Sequence, residues 1–228
     1  MEYFLELSSS GLVRGSIYAL IALGYTMVYG IIQLINFAHG EIYMIGAFVA
    51  LIVSGVLTIY GFSGVSILIL AALIAAIYAA AYGYTLEKIA YRPLRNAPRL
   101  SPLISAIGMS LFLQNYVLLA QTPDFLPFPA LIPDFEFMEP IAHIMGSPEL
   151  VILVTSAVSM VALTVLIKYT RIGKAMRATQ QDMTMARLVG VNVDNVISMT
   201  FIIGSVLAAI GLGNGRHQPG RSAKAFAF

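Results

Sequence analysis

The sequence predicts an all-α fold, a polytopic transmembrane bundle of about six spans, on three observations. Of 228 residues, 59% are hydrophobic and 11% charged, less than half the charged share of a soluble domain, about 25%. The apolar residues gather in runs without Asp, Glu, Lys or Arg at 15–38, 42–86, 100–123, 150–167 and 195–215. The remaining charges sort by sign into separate loops, as they do when spans are threaded through a bilayer. A crossing helix needs about 20 apolar residues, so the run at 42–86 holds two spans, divided at the YGFSG stretch of 60–64.

Span one is expected over about 12–32, where Gly11 and Gly15 stand in small-xxx-small spacing ahead of Gly24 and Gly30, a face that lets a neighbouring helix approach closely. Before it, Glu2 and Glu6 occupy the place where a cleavable signal has its positive region, so this span is expected to stay in the mature protein. Between spans one and two, the stretch 33–41 concentrates Asn36, His39 and Glu41. Two readings stand: a solvated turn at the membrane surface, or a helix break lining a water-filled path, where non-helical backbone is tolerated at depth.

Spans two and three, about 42–59 and 65–86, lead into a loop with Lys88, Arg92, Arg95 and Arg99, punctuated by Pro93, Pro98 and Pro102. Its basic charge places it in the cytoplasm. Span four, about 103–120, carries Ser101, Ser105, Gly108 and Ser110, small residues suited to helix packing. It also carries Gln114 and Asn115, which suit either a pathway or polar contacts between helices. From 121 to 149 the charge is acidic only, with Asp124, Asp134, Glu136, Glu139 and Glu149, and six of the ten prolines fall here. That loop belongs outside and is expected to be extended or turned, with Phe125, Phe128, Phe135 and Phe137 available to a partner and His143 a surface histidine.

Span five, about 150–167, returns to the second basic loop at 168–195, with Lys168, Arg171, Lys174, Arg177 and Arg187 against Asp182 and Asp194. Within it Asp182 stands at an N-cap position, 183–189 make about two helical turns, and Gly190 falls where a helix end takes a left-handed residue. A short capped helix between spans is a docking surface; a loop whose charges fix topology is the plainer reading. Span six is expected over about 196–212. Counting back from the basic loops puts the N-terminus outside, unless 31–40 re-enters the membrane. The domain division is then one transmembrane unit to residue 212 and an atypical tail at 213–228, whose Arg216, Arg221 and Lys224 conflict with an outward-crossing sixth span.

Several function classes are excluded by what the chain lacks. No P-loop pattern binds ATP here, no cysteine supports a disulfide or thiolate metal site, and no charge distribution suits nucleic acid. The charge-free runs contain no ionisable group of the kind an ion-coupled carrier keeps, with Glu41 the near exception. Neither paired intramembrane aspartates, an H-E-x-x-H site nor a convincing Ser–His pair points to an enzyme. What remains is a pore-forming subunit driven from elsewhere.

Several stretches resemble one family: YALIALGYTMVYG at 18–30, INFAHGEIYMIG at 35–46, AYRPLR at 90–95, LISAIGMS at 103–110, FLQNY at 112–116 and RIGKAMRA at 171–178. Together they resemble the LivH-type permeases of bacterial branched-chain amino acid ABC importers, over about residues 11–210. Urea and short-amide permeases share the N-x-A-H-G-E core, so that motif alone does not separate substrates. The resemblance implies a multi-pass protein of the bacterial inner membrane with a second permease subunit, two cytoplasmic ATP-binding subunits and a periplasmic binding protein that delivers Leu, Ile or Val. It implies no cofactor in this chain, since ATP is bound by the partners. It also implies an ATPase-coupling helix with Ala-x-x-x-Gly spacing, matched by Ala186 and Gly190 within about 182–190, with Arg171, Arg177, Asp182 and Arg187 around it. The substrate path would then involve Asn36, His39, Glu41, Gln114 and Asn115. Family members continue past the position of Ile210 with further spans, so the tail reads as truncated or frame-altered. A stand-alone channel and a silent scaffold are the other classes that fit the composition.

Overall fold

The computed structural model describes residues 2–62, 64–95, 97–98, 100–121 and 146–210. Most of the acidic, proline-rich loop, its four phenylalanines and His143, and the tail at 213–228 lie outside the described residues. The chain forms α1 (Glu2–Ile32), α2 (His39–Ile59), α3 (Val65–Leu86), a π-helical turn (Glu87–Tyr91) and a 3-10 turn (Arg92–Leu94). It continues with α4 (Leu100–Ala120), α5 (Ser147–Tyr169), α6 (Arg171–Gln181), α7 (Met183–Leu188) and α8 (Val193–Ile210). Among the described residues, α1 to α5 and α8 are the six helices long and apolar enough to cross a membrane. Hydrocarbon offers no water to satisfy backbone N–H and C=O groups, so each apolar run must close its hydrogen bonds within itself.

The helix boundaries follow local chemistry. Gly61 and Gly64, at φ +82° and +62°, turn the chain between α2 and α3. Pro148 enters the first turn of α5, where its missing N–H is no loss, and the Glu149 carboxylate accepts from the Gly146 N–H. This helix therefore begins at Ser147, three residues before the start expected from the charge-free run. Thr170 separates α5 from α6: its extended backbone stops one helix, and its hydroxyl accepts from the Gly173 N–H at 3.0 Å to start the next.

At the centre stands α8: 61% of its residues are buried, against 17% of the most apolar stretch of α4. It runs antiparallel to α1, with Leu20 packed against Leu207, while Gly30 lies against Gln180 of α6. The C-terminus of α1 therefore shares the basic end of the bundle with α6 and α7, and the N-terminus of α1 lies at the opposite end. Gly24 and Gly204 allow the crossing: a Cβ on Gly24 would stand 2.8 Å from the Gly204 carbonyl oxygen, and one on Gly204 would stand 3.0 Å from that of Gly24. Among the described residues nothing lies within 4 Å of a Cβ on Gly11 or Gly15, so the close backbone approach expected of small residues on α1 occurs at Gly24 instead.

Candidate functional site

α1 ends at Ile32 because Gln33 takes φ +56°, a left-handed conformation uncommon outside glycine, asparagine and aspartate. The six residues that follow are not helical, and Asn36 organises them. Its Oδ1 accepts from the Ala38 N–H at 3.1 Å and from the Tyr91 hydroxyl at 3.1 Å, and its carbonyl accepts from the His39 N–H at 3.2 Å, where α2 begins. Asn36 and His39 are 2% and 3% exposed, yet Asn36 Nδ2 and His39 Nε2 have no hydrogen-bond partner among the described residues. The His39 ring meets Tyr25 edge-on at 6.0 Å, and its Nε2 stands 3.3 Å from where a Gly24 Cβ would be. Gly24 lies eight residues before the end of α1, about 12 Å at the helical rise. The break thus turns Asn36 and His39 into the bundle, so neither side chain belongs to a solvated surface turn, while Gln33, Ile35 and Phe37 of the same stretch stay exposed.

Glu41 follows in the first turn of α2, half-buried, and accepts from the Ser110 hydroxyl at 3.1 Å. Ser110 lies at the middle of α4, so a carboxylate stands well inside the apolar zone. Gln114 and Asn115 are not part of this cluster. Both are exposed, Asn115 donates to the Leu111 carbonyl of its own helix at 2.8 Å, and it lines a shallow groove on α4 with Gly108, Phe112 and Tyr116. Asn36 and His39 offer an amide donor and an imidazole nitrogen at the break, while the Glu41 carboxylate, two residues past His39 and so on another face of α2, is directed to α4.

At the basic end, Asp182 caps α7 by accepting from the Thr184 and Met185 N–H groups at 2.7 and 3.0 Å. Gly190, at φ +87°, terminates it, and the Val191 N–H returns to the Ala186 carbonyl at 2.9 Å. Ala186 is turned inward, 3% exposed, against the cluster that includes Val193 and Ile197. The outward residues are Met185, Arg187, Leu188 and Val189, an apolar surface at a polar end of the molecule. Arg177 donates to the Ile167 and Lys168 carbonyls and closes the end of α5, while Arg171 is exposed in the first turn of α6. The segment 171–181 is a helix, not a loop. Its inward stripe of Gly173, Met176 and Thr179 is only weakly apolar.

One group escaped the sequence reading. Glu87, one residue beyond a charge-free run, is 0% exposed. It pairs with Arg95 and accepts from the Ser198 hydroxyl at 2.7 Å, and Arg95 also pairs with Asp194. Arg92 stands 3.5 Å from the other Asp194 oxygen. No motif marks these residues; the signal available was an acidic residue inside a basic loop, facing another acid a hundred positions later.

Comparison with known proteins gives a consistent result. Residues 7–211 match the family model described as the permease component of branched-chain amino acid transport systems. The chain is 46% identical over 212 residues to the high-affinity branched-chain amino acid transport system permease protein LivH of Escherichia coli (strain K12), and equally to that of Salmonella typhimurium, covering 91% of this chain and 69% of each relative. It is 45% identical, with the same coverage, to the corresponding protein BraD of Pseudomonas aeruginosa. No solved structure matches it.

Proposed function

The chain belongs to the family of permease components of branched-chain amino acid transport systems, and on that premise we propose that it carries leucine, isoleucine and valine across the bacterial inner membrane. The energy comes from ATP bound and hydrolysed by two cytoplasmic partner subunits, with no cofactor in this chain. A second permease subunit completes the pathway, and a periplasmic binding protein delivers the substrate. One observation carries the reading: among the described residues, two buried side chains, Asn36 and His39, each keep a polar atom without a well-formed hydrogen bond inside an apolar bundle, with the Ile21 backbone beside the His39 imidazole. Leaving such an atom unpaired costs about 1–3 kcal/mol, so a site that retains two of them is suited to a ligand or water passing through. Glu41, held by Ser110 of α4 on a separate face of α2, offers a carboxylate farther along the helix, and the apolar walls tolerate a branched side chain.

α7 is the contact for the ATPases, with Met185, Leu188 and Val189 presented outward and Ala186 anchoring the helix to the bundle. The test is reconstitution with the partner subunits and binding protein in liposomes. Leucine uptake that requires internal or external ATP at the ATPase face, with no urea or acetamide uptake, is expected. Uptake without ATPases present contradicts the reading in favour of a channel, and amide uptake without leucine uptake shifts the substrate class.

A further inference from the structure

Between α7 and the helix break lies an unusual piece of backbone. α3 does not end at Leu86 but widens into the π-helical turn Glu87–Tyr91, the geometry found mostly as single turns at functional positions. Its near end is held by α8 through Glu87 with Ser198 and through Arg95 with Asp194. Its far end is held by the break, because the Tyr91 hydroxyl donates to Asn36 Oδ1 at 3.1 Å. Its side is held by α4, where Ser105 donates to the Ala90 carbonyl at 3.1 Å. The Tyr91 ring also leans on Phe201 of α8, centroids 5.2 Å apart.

α7 and α8 meet through the short turn 189–192, which Asn192 closes by accepting from the Asn195 N–H at 3.1 Å, and Ala186 shares a buried cluster with Val193 and Ile197. Any displacement of α7 therefore reaches Asp194 in the first turn of α8. The geometry points to the π-helical turn as the transmission element between the ATPase contact and the substrate path, with Asp194, Arg95, Glu87 and Tyr91 as positioning residues. This rests on the coupling role given to α7 and the pathway role given to the break.

The burial pattern assigns different parts to the two ion pairs. The Glu87 side chain is fully buried, so separating it from Arg95 would strand a carboxylate out of water, and this pair moves as a unit. The Asp194 side chain is 43% exposed, so water can take over its contact with Arg95. Asp194 is thus the grip that can open, and Tyr91 is the pointer at the other end. When α8 shifts, the turn carries the Tyr91 hydroxyl with it, and Asn36, which sets both the start of α2 and the position of His39, follows.

The experiment uses the assembled transporter in lipid nanodiscs with Phe37→Cys in this chain, which has no native cysteine. Phe37 is 45% exposed within the break, and its maleimide labelling rate reports the break's conformation. A non-hydrolysable ATP analogue is expected to change that rate about fivefold or more. Tyr91→Phe removes one hydroxyl and Asp194→Asn one charge at a half-exposed position. Each is expected to abolish most of the nucleotide response while nucleotide binding and subunit co-purification persist. The double variant should be no worse than the more affected single one, since both interrupt the same line.

A parent whose labelling ignores nucleotide overturns the coupling reading and this proposal together. A nucleotide response that survives either substitution, or single effects that multiply in the double variant, overturns this proposal alone. Loss of assembly in both single variants overturns it in favour of a purely architectural role.

Discussion

The break at 33–39 and the middle of α4 are two polar islands in an apolar chain, built from similar residue types, with opposite outcomes. Asn36 and His39 are enclosed and each has a polar atom unpaired among the described residues, whereas Gln114 and Asn115 face outward and the Asn115 amide bonds its own helix. The backbone makes the difference. In an unbroken helix the carbonyl four residues back is within reach of a short amide, and the side chain is absorbed locally. Where the helix stops, the backbone itself needs partners, and Asn36 Oδ1 serves the Ala38 N–H while its Nδ2 finds none among the described residues. Polarity in a membrane sequence goes unabsorbed by its own helix where the helix also ends.

Paired substitutions sharpen this contrast. The largest effect is expected from Gly24→Leu, which drives a side chain into the Gly204 carbonyl and the His39 ring. Overpacking of this kind costs about 1–3 kcal/mol or more, so the purified protein should lose most of its thermal stability in detergent. Gly108→Leu on α4, where nothing stands within 4 Å, should leave it unchanged; equal effects would show that the α1–α8 crossing does not position the break. Next comes Asn36→Leu, which strands the Ala38 N–H and leaves the Tyr91 hydroxyl only its 3.5 Å contact with the Ile35 carbonyl, at about 1–3 kcal/mol for a buried group left unpaired. A lowered thermal midpoint is expected, and a parental midpoint would break the contrast. Ser110→Ala removes one hydrogen bond to Glu41 and should cost about 0.5–1.5 kcal/mol. The smallest effect belongs to Gln114→Leu, within about 0.5 kcal/mol as for surface positions generally; a larger loss would mean that the outer face of α4 is not the bystander described here.

Much of the fold was legible because a bilayer turns composition into geometry. The charge-free runs became helices, and the caps at Asp182 and Gly190 sit where their chemistry put them, since both act within a few residues of themselves. The polar break was legible as an anomaly in the same way. What could not be read is whatever depends on direction or distance in sequence. Gln114 and Asn115 face outward, a direction that polarity in the sequence does not give. Ala186 matched a docking pattern, yet it faces the bundle while Leu188 and Val189 face outward. α6 was hidden by its own charges, whose side of the helix is the exposed one. Glu87 was invisible because its partners Arg95, Asp194 and Ser198 come from the next loop and from another helix, and only folding places them together.

If Asn36 and His39 line the substrate path as proposed, loss of the His39 imidazole is the change that shows it. In the assembled transporter, ATP-driven leucine uptake by His39→Ala is measured beside the parent, with Glu41→Gln in parallel and subunit co-purification as the control. Normal assembly is expected, with uptake lowered about tenfold or more, the effect of losing one hydrogen bond to a charged group, about 1.5–3 kcal/mol. Parental uptake by both assembled variants would contradict it, and failure of both to assemble would reduce the break to a structural feature.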